Sequence, residues 1–259
     1  MRLLVYTPTF EDGPLAACVQ SIQGQKFSGV WKWVIDDDDP FPAPDHRNVL
    51  AKYQRAQRMA IMGGYDALVT VEHDMTLPAD ALQKLADAGK PVVYGVYVLR
   101  HGSLVLNTWR LEGRKNLGQS LTMFPEELER AKAAPLWPVS GCGWGCTLIR
   151  REVLERIPFH DGGGQNHAGD LVFAIDCLRA GIEAWAHFGV LCGHIEDGVE
   201  LRPFIGLGAI TKVQAAQTFN GLVQGSTMHF AQGEIYHLPG RAAAEWERAG
   251  LVMVLGEVA

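Results

Sequence analysis

The chain has 259 residues, with 23 lysines and arginines against 29 aspartates and glutamates, a formal charge of −6. Hydrophobic residues make up 47% and charged residues 20%, enough apolar surface for a folded core, which excludes a chain dominated by disorder. The acidic balance argues against a protein that lives on the nucleic-acid backbone, and the length suits one large domain, alone or with a small companion.

The opening MRLLVYTPTF has an apolar run of four residues before Thr7-Pro8, too short for the core of a signal peptide. The longest apolar window, residues 92–99, is eight residues, against the roughly 18 that a membrane span needs. The five cysteines, Cys18, Cys142, Cys146, Cys177 and Cys192, are an odd number scattered among apolar neighbours. That pattern fits buried, reduced thiols and a cytoplasmic protein.

In chain order, residues 2–6 read as a short apolar strand. A helical stripe follows at Leu15, Cys18, Val19 and Ile22. Residues 30–35 are a second strand, broken by the run Asp36-Asp37-Asp38-Asp39 and Pro40. Val49, Tyr53, Ala56 and Ala60 mark a second helix closed by Gly63-Gly64. Residues 67–71 are apolar throughout, as a strand buried on both faces would be. A helix over 80–88 and a strand over 91–99 follow. This alternation predicts an α/β fold with an open, mostly parallel sheet and helices on both faces. Ligands of such sheets sit beyond the carboxyl ends of the strands, where Thr7, Asp36, Asp37, Glu72 and Asp74 fall.

From residue 103 the pattern loosens. Residues 104–109 read as a strand, 125–134 as a polar helix, 137–149 as a stretch rich in glycine, cysteine and tryptophan, and 150–156 as a short helix. The loop DGGGQNHAG over 161–169 leads into a helix with Leu171, Ile175 and Leu178 on its apolar face, and one or two strands close the unit by 194. The last ~50 residues change character: short alternating strands around glycine turns, a helix carrying Ala243 and Trp246, and a final strand over 251–255. The expected division is a domain over 1–210 and a small β-rich C-terminal appendage over 211–259. Trp246 is expected as a buried anchor, in a local core or in a homo-oligomer contact.

Four clusters carry chemistry. The acidic run follows a buried strand, and its carboxylates repel one another unless something compensates. It is either a solvated turn or a carboxylate set to accept a hydrogen bond from a nucleobase. Glu72-His73-Asp74 ends another strand. Alternation along a strand points Glu72 and Asp74 the same way, which suits a hard cation bridging phosphates as well as a polar terminus. Asp170 opens a helix after the glycine-rich loop, where the helix dipole favours its ionised form. It is a simple helix-end carboxylate or a general base under a mobile loop. His194 follows an apolar strand. Read with Cys142, Cys146 and Cys192 it also makes a marginal zinc set. No phosphate-binding P-loop, dinucleotide glycine motif or G-x-S-x-G elbow is present.

Taken in chain order, these pieces resemble the family 2-type glycosyltransferases of the GT-A fold. Thr7-Pro8-Thr9 is similar to the family's opening segment. Ser21-Ile22-Gln23-Gly24-Gln25 with Trp33-Val34-Ile35-Asp36-Asp37 is similar to its "S-I-x-x-Q…hhhhDD" stretch. Glu72-His73-Asp74 with Leu77-Pro78 resembles its "D-x-D…P" motif, and Gly169-Asp170-Leu171-Val172-Phe173 its "E-D-x-x-F" motif. The resemblance spans about residues 2–196. Two positions depart from it, Glu72 for the first aspartate and Gly169 for the first acid of the pair.

The resemblance implies a metal-dependent inverting glycosyltransferase of hexosyltransferase type, moving a sugar from a nucleoside-diphosphate donor to an acceptor hydroxyl. Thr7 and Asp37 would hold the nucleobase, Arg58 would approach the diphosphate, and Glu72 would contact ribose or metal. Asp74 and His194 would ligate Mn²⁺ or Mg²⁺, and Asp170 would deprotonate the acceptor. A nucleotidyltransferase of similar fold is the alternative, disfavoured by the acidic Phe10-Glu11-Asp12-Gly13 after the first strand. A non-catalytic binding module is the third reading.

Overall fold

The first strand, β1 (Arg2–Pro8), is buried from its second residue onward, and the rest of the chain is laid against it. It pairs in parallel with β2 (Val30–Asp36) on one side and β3 (Ala67–Val71) on the other. Pro8 sits opposite Asp36, and Tyr6 opposite Thr70. The register therefore delivers the acidic run and the end of β3 to one edge. The computed structural model of the protein describes residues 1–9, 13–42, 45, 47–99, 105–112, 116–122, 130–131, 133–163, 169–196, 198–203, 210–223 and 226–257. The polar helix expected over 125–134 and the loop over 164–168 lie largely or wholly outside them.

The crossovers are α1 (Ala16–Gln23), which buries Cys18 and Ile22, and α2 (Arg47–Met62), which buries Tyr53, Ala56 and Ala60 as its stripe predicts, but also Asn48, Lys52 and Gln57. After β3 come the two-residue β4 (Met75–Thr76), α3 (Ala81–Asp87) and β5 (Val92–Val96). Both β3 and β5 are buried at every residue, so protein covers both faces of the central sheet.

The later elements are β6 (Val105–Arg110), β7 (Ser120–Thr122), β8 (Leu136–Cys142), β9 (Cys146–Arg150), α4 (Arg151–Leu154), α5 (Gly169–Arg179) and β10 (Ala184–Leu191). The sheet has nine strands in the order β2-β1-β3-β9-β5-β10-β8-β6-β7. Six run one way; β9, β8 and β7 run against them. The sheet is thus mixed, more so than the alternation suggests, because β9 inserts antiparallel between β3 and β5. It comes from the glycine- and cysteine-rich stretch, whose strands show no alternating pattern because β9 is buried from Cys146 to Ile149. A small second sheet, β12-β11-β4, is made by β11 (Gly193–Glu196) and β12 (Val199–Leu201) on β4.

The C-terminal part is β-rich. Strands β13 (Ile210–Ala215), β16 (Ile235–Pro239) and β17 (Val252–Glu257) form one antiparallel sheet, and β14 (Phe219–Val223) with β15 (Ser226–Phe230) a hairpin. On α6 (Gly240–Arg248), Trp246 meets Phe219 and Phe230 edge-on at 5.3 and 5.0 Å, a local cluster. No helix among the described residues is long and apolar enough to cross a membrane.

Gly95, inside β5, tests how tightly this sheet is packed. A Cβ there would come within 2.9 Å of the sulfurs of both Cys146 and Cys192. Gly95→Ala is expected to destabilise the protein by about 1–3 kcal/mol through overpacking, read as a melting temperature several degrees lower. An unchanged melting temperature would mean that the thiols move aside freely.

Candidate functional site

The acidic run at the end of β2 is met from one helix. Asp36, the buried member, takes Arg55 Nε and Nη2 at 2.9 and 2.8 Å. It also accepts the Tyr6 hydroxyl and, at 3.1 Å, the Asp38 N–H. Burial alone would raise its carboxyl; the Arg55 and Tyr6 hydrogen bonds outweigh that and hold it below the ordinary carboxylate range. Arg55 also reaches Asp38 at 3.4 Å, and Lys52, almost wholly buried, pairs with Asp39 at 2.6 Å and donates to the Thr9 carbonyl. Asp37 and Asp38 are both exposed, and of the two Asp37 has no ion pair among the described residues.

The end of β3 is organised differently from a continuing strand. It stops at Val71, and the Met75 N–H closes a turn onto the Glu72 carbonyl at 3.2 Å. The alternation argument for Glu72 and Asp74 therefore does not apply. Glu72 is half-buried, whereas Asp74 is buried beside His194. Strand β11 brings that histidine: His194 lies opposite Met75, and the Ile195 N–H reaches the Asp74 carbonyl at 2.8 Å.

His194 Nδ1 lies 2.9 Å from the Val98 carbonyl. A carbonyl only accepts, so Nδ1 carries the proton, and in the neutral imidazole Nε2 presents its lone pair. That lone pair faces Asp74 Oδ2 at 3.4 Å, with both side chains about 95% buried. Two acceptors turned toward each other in a desolvated place call for a proton or a cation between them. A carboxylate and an imidazole whose far nitrogen is fixed by a carbonyl fit a divalent cation. Among the described residues no three His, Cys, Asp or Glu side chains converge, so such an ion would take its remaining ligands from substrate oxygens and water.

Asp170 begins α5, and its Oδ1 accepts the Leu171 N–H at 2.8 Å. Burial raises its carboxyl, and that hydrogen bond only partly offsets the rise. The direction is opposite to the one expected from the helix dipole: desolvation outweighs it, and the group is a stronger base than a solvated aspartate. Beneath it lies an aromatic cluster. Trp144 packs on Tyr53 at 4.4 Å, Phe159 at 4.6 Å and Phe173 at 6.0 Å between ring centroids. A Cβ on Gly169 would sit 3.2 Å from the Trp144 ring and 3.3 Å from Leu50.

Burial raises the Tyr53 phenol, and the charges of Glu72, Asp170 and Asp74 raise it further. It also lines a cleft of about 210 Å³ with Pro8, Thr9, Val49, Lys52, Glu72 and His73.

Of the residues expected from sequence, Asp74 and His194 meet side by side, Glu72 lines the cleft with Tyr53, and Asp170 stands at the start of α5. Thr7 is fully buried, and its hydroxyl accepts the Trp33 indole N–H at 3.0 Å, so Thr9, two residues on, takes its place at the cleft. Arg58 faces a separate groove with Gln54, Gln57, Ile61 and Glu155. The cations at the site are Lys52 and Arg55. Their signal was available in sequence, since Lys52 falls on the same buried face as Val49, Tyr53 and Ala56. The zinc set does not form: Cys142 bonds the Asn107 carbonyl and lies 3.5 Å from the Thr108 hydroxyl. All five cysteines are buried and unpaired as disulfides.

No protein-family model and no curated protein matches the chain. In fold it is similar to the solved structure of A197 from STIV, with a TM-score of 0.54 over 78% of this chain and 91% of that one. The two are 22% identical, so the likeness concerns the fold alone.

The Arg55–Asp36 pair makes stability depend on acid. A carboxyl whose pKa is depressed on folding stabilises the protein above its unfolded value, near 3.9, and that contribution is lost as pH falls through the folded value. Arg55→Ala is expected to cost about 2 kcal/mol at pH 7. In urea melts the difference from wild type should shrink as pH drops below about 4. A difference as large at pH 3 as at pH 7 would show that Arg55 acts through packing and not through charge.

Proposed function

We propose that the protein is a metal-dependent inverting glycosyltransferase that moves a sugar from a nucleoside-diphosphate donor to an acceptor hydroxyl. The observation that carries this reading is the pair of buried acceptors, Asp74 Oδ2 and His194 Nε2, facing each other at 3.4 Å at the carboxyl edge of the parallel strands. Asp170, a carboxylate made more basic by burial, stands in the same acidic neighbourhood.

In this reading Asp37, exposed and without an ion pair among the described residues, accepts a hydrogen bond from the nucleobase, while Lys52 and Arg55 engage the other three carboxylates of the run. Glu72 borders the cleft and meets the ribose. Asp74 and His194 would hold Mn²⁺ or Mg²⁺, a cation whose charge would offset that of the departing diphosphate. Asp170 takes the proton of the acceptor hydroxyl as that oxygen forms its bond to the anomeric carbon. The bond from that carbon to the diphosphate oxygen breaks, and its electron pair leaves with the diphosphate, so the configuration inverts. The segment 211–259 stands outside the chemistry as an accessory unit, a site for self-association or docking.

Two variants test the assignment. In a thermal-shift series with nucleoside diphosphates, Mn²⁺ should add stabilisation to wild type, about 2.7 kcal/mol at a hundred times the Kd, and Asp74→Asn should abolish that dependence. Unchanged Mn²⁺ dependence in the variant removes the metal assignment. Asp170→Asn keeps the shape and discards the basicity. Nucleotide affinity should survive while the transfer rate falls by about 10²-fold or more. Since Asn caps a helix nearly as well as Asp, near-wild-type transfer would leave Asp170 a structural residue.

A further inference from the structure

Tyr53 carries an oxygen that the ligand-free molecule does not use. Its side chain is 1% exposed, and its hydroxyl has no hydrogen-bond partner among the described residues. The indole N–H of Trp144, whose ring packs on Tyr53 at 4.4 Å, is likewise buried and unpartnered. A buried hydroxyl left unpaired is destabilising, and phenylalanine would place the same ring against Trp144 and Phe159 without that penalty. Unpaired polar groups in a well-packed interior are uncommon and mark places where something outside the chain completes the bonding.

The position of this oxygen says what would complete it. Tyr53 forms part of the wall of the 210 Å³ cleft, next to Thr9, Lys52 and Glu72. Burial is the main reason its phenol lies well above the ordinary range, so the group keeps its proton and acts as a donor, not a base. Glu72, on the wall of the same cleft, disfavours an anionic oxygen there and favours a neutral one. Lys52, the nearest cation on the same helix, is already held by Asp39 and the Thr9 carbonyl, which leaves the cleft a place for uncharged polar atoms.

We propose that the Tyr53 hydroxyl is a substrate-binding donor, giving its hydrogen bond to a neutral oxygen of the molecule that fills the cleft, a hydroxyl of a sugar or a nucleoside. The inference rests on the glycosyltransferase reading and adds to it a specificity residue. The oxygen is shielded from water in the ligand-free molecule, so the bond forms with a side-chain adjustment in the cleft wall, of the kind common at binding surfaces.

The test is calorimetric titration in Mn²⁺ with UDP-glucose, GDP-mannose and dTDP-glucose and their parent diphosphates, on wild type, Tyr53→Phe and Tyr94→Phe. Tyr94 also carries a buried hydroxyl, but it lies within β5 and not on the cleft. Tyr53→Phe should bind the preferred nucleotide sugar about tenfold more weakly, and its ligand-free melting temperature should equal or exceed that of wild type. Tyr94→Phe should bind as wild type does. Weakening confined to the nucleotide sugar assigns the bond to the sugar; equal weakening for the parent diphosphate assigns it to the nucleoside. Affinity in Tyr53→Phe equal to wild type for every probe overturns the inference alone. A wild-type protein that binds none of the probes overturns the glycosyltransferase reading, and this inference with it.

Discussion

Four consecutive carboxylates at the end of a strand can be folded against a sheet only if cations meet them. Arg55 and Lys52, one turn apart on α2, meet three of the four. The rest of the site follows from that contact. Fixing Asp36 under Arg55 anchors α2 over β1, because Tyr6 of β1 shares the same carboxylate. With α2 so placed, Tyr53 is carried over the end of β3, and Trp144 and Phe159 close around it. The arrangement leaves Asp37 as the member of the run with no ion pair among the described residues. A solvated acidic turn would single out no member. Here the cations that engage its neighbours do so.

The second organising contact is backbone-driven. Asp74 and His194 are 120 positions apart in the chain, and what joins them is a short antiparallel ladder between β4 and β11. On the far side of β11, Glu200 accepts Arg202 at 2.5 Å and the Thr76 hydroxyl at 2.7 Å. The three residues clip the two strands together across Gly193. The Val98 carbonyl then fixes the histidine ring from beyond. Backbone pairing holds the two side chains to one spacing.

Much of this was legible in the sequence. Apolar continuity identified β3 and β5, the apolar stripe identified α2, and the glycine-punctuated tail read as β-rich. What could not be read had physical causes. The strand β9 lies in the sheet interior, where alternation vanishes, so its antiparallel insertion left no periodic mark. The choice of Arg55 over Arg58 on α2 is one of helix phase: three residues rotate a side chain by most of a turn, and only the acids on β2, distant in sequence, select which one is used. Thr7 shows the complementary limit. Its chain position suited a ligand contact, but its hydroxyl is occupied by Trp33, a neighbour across the β1–β2 pair that no local pattern announces. The raised carboxyl of Asp170 is likewise a property of what packs over it and not of its place at a helix start.

Gly169 and Trp144 are best understood as one substitution in two places. Under the glycosyltransferase reading, the position before Asp170 ordinarily carries an acid, and here the Trp144 indole packs where that side chain would begin. A second carboxylate at 169 would raise the pKa of Asp170 by repulsion, but it would also need partners of its own in a crowded, aromatic place. Burial raises the pKa of Asp170 without any added charge at 169. The exchange has a consequence for the acceptor. Under the proposed reading, with no acid at 169, an acceptor would be oriented by neutral donors, and the Tyr53 hydroxyl and the Trp144 N–H, which have no hydrogen-bond partner among the described residues, are of that kind.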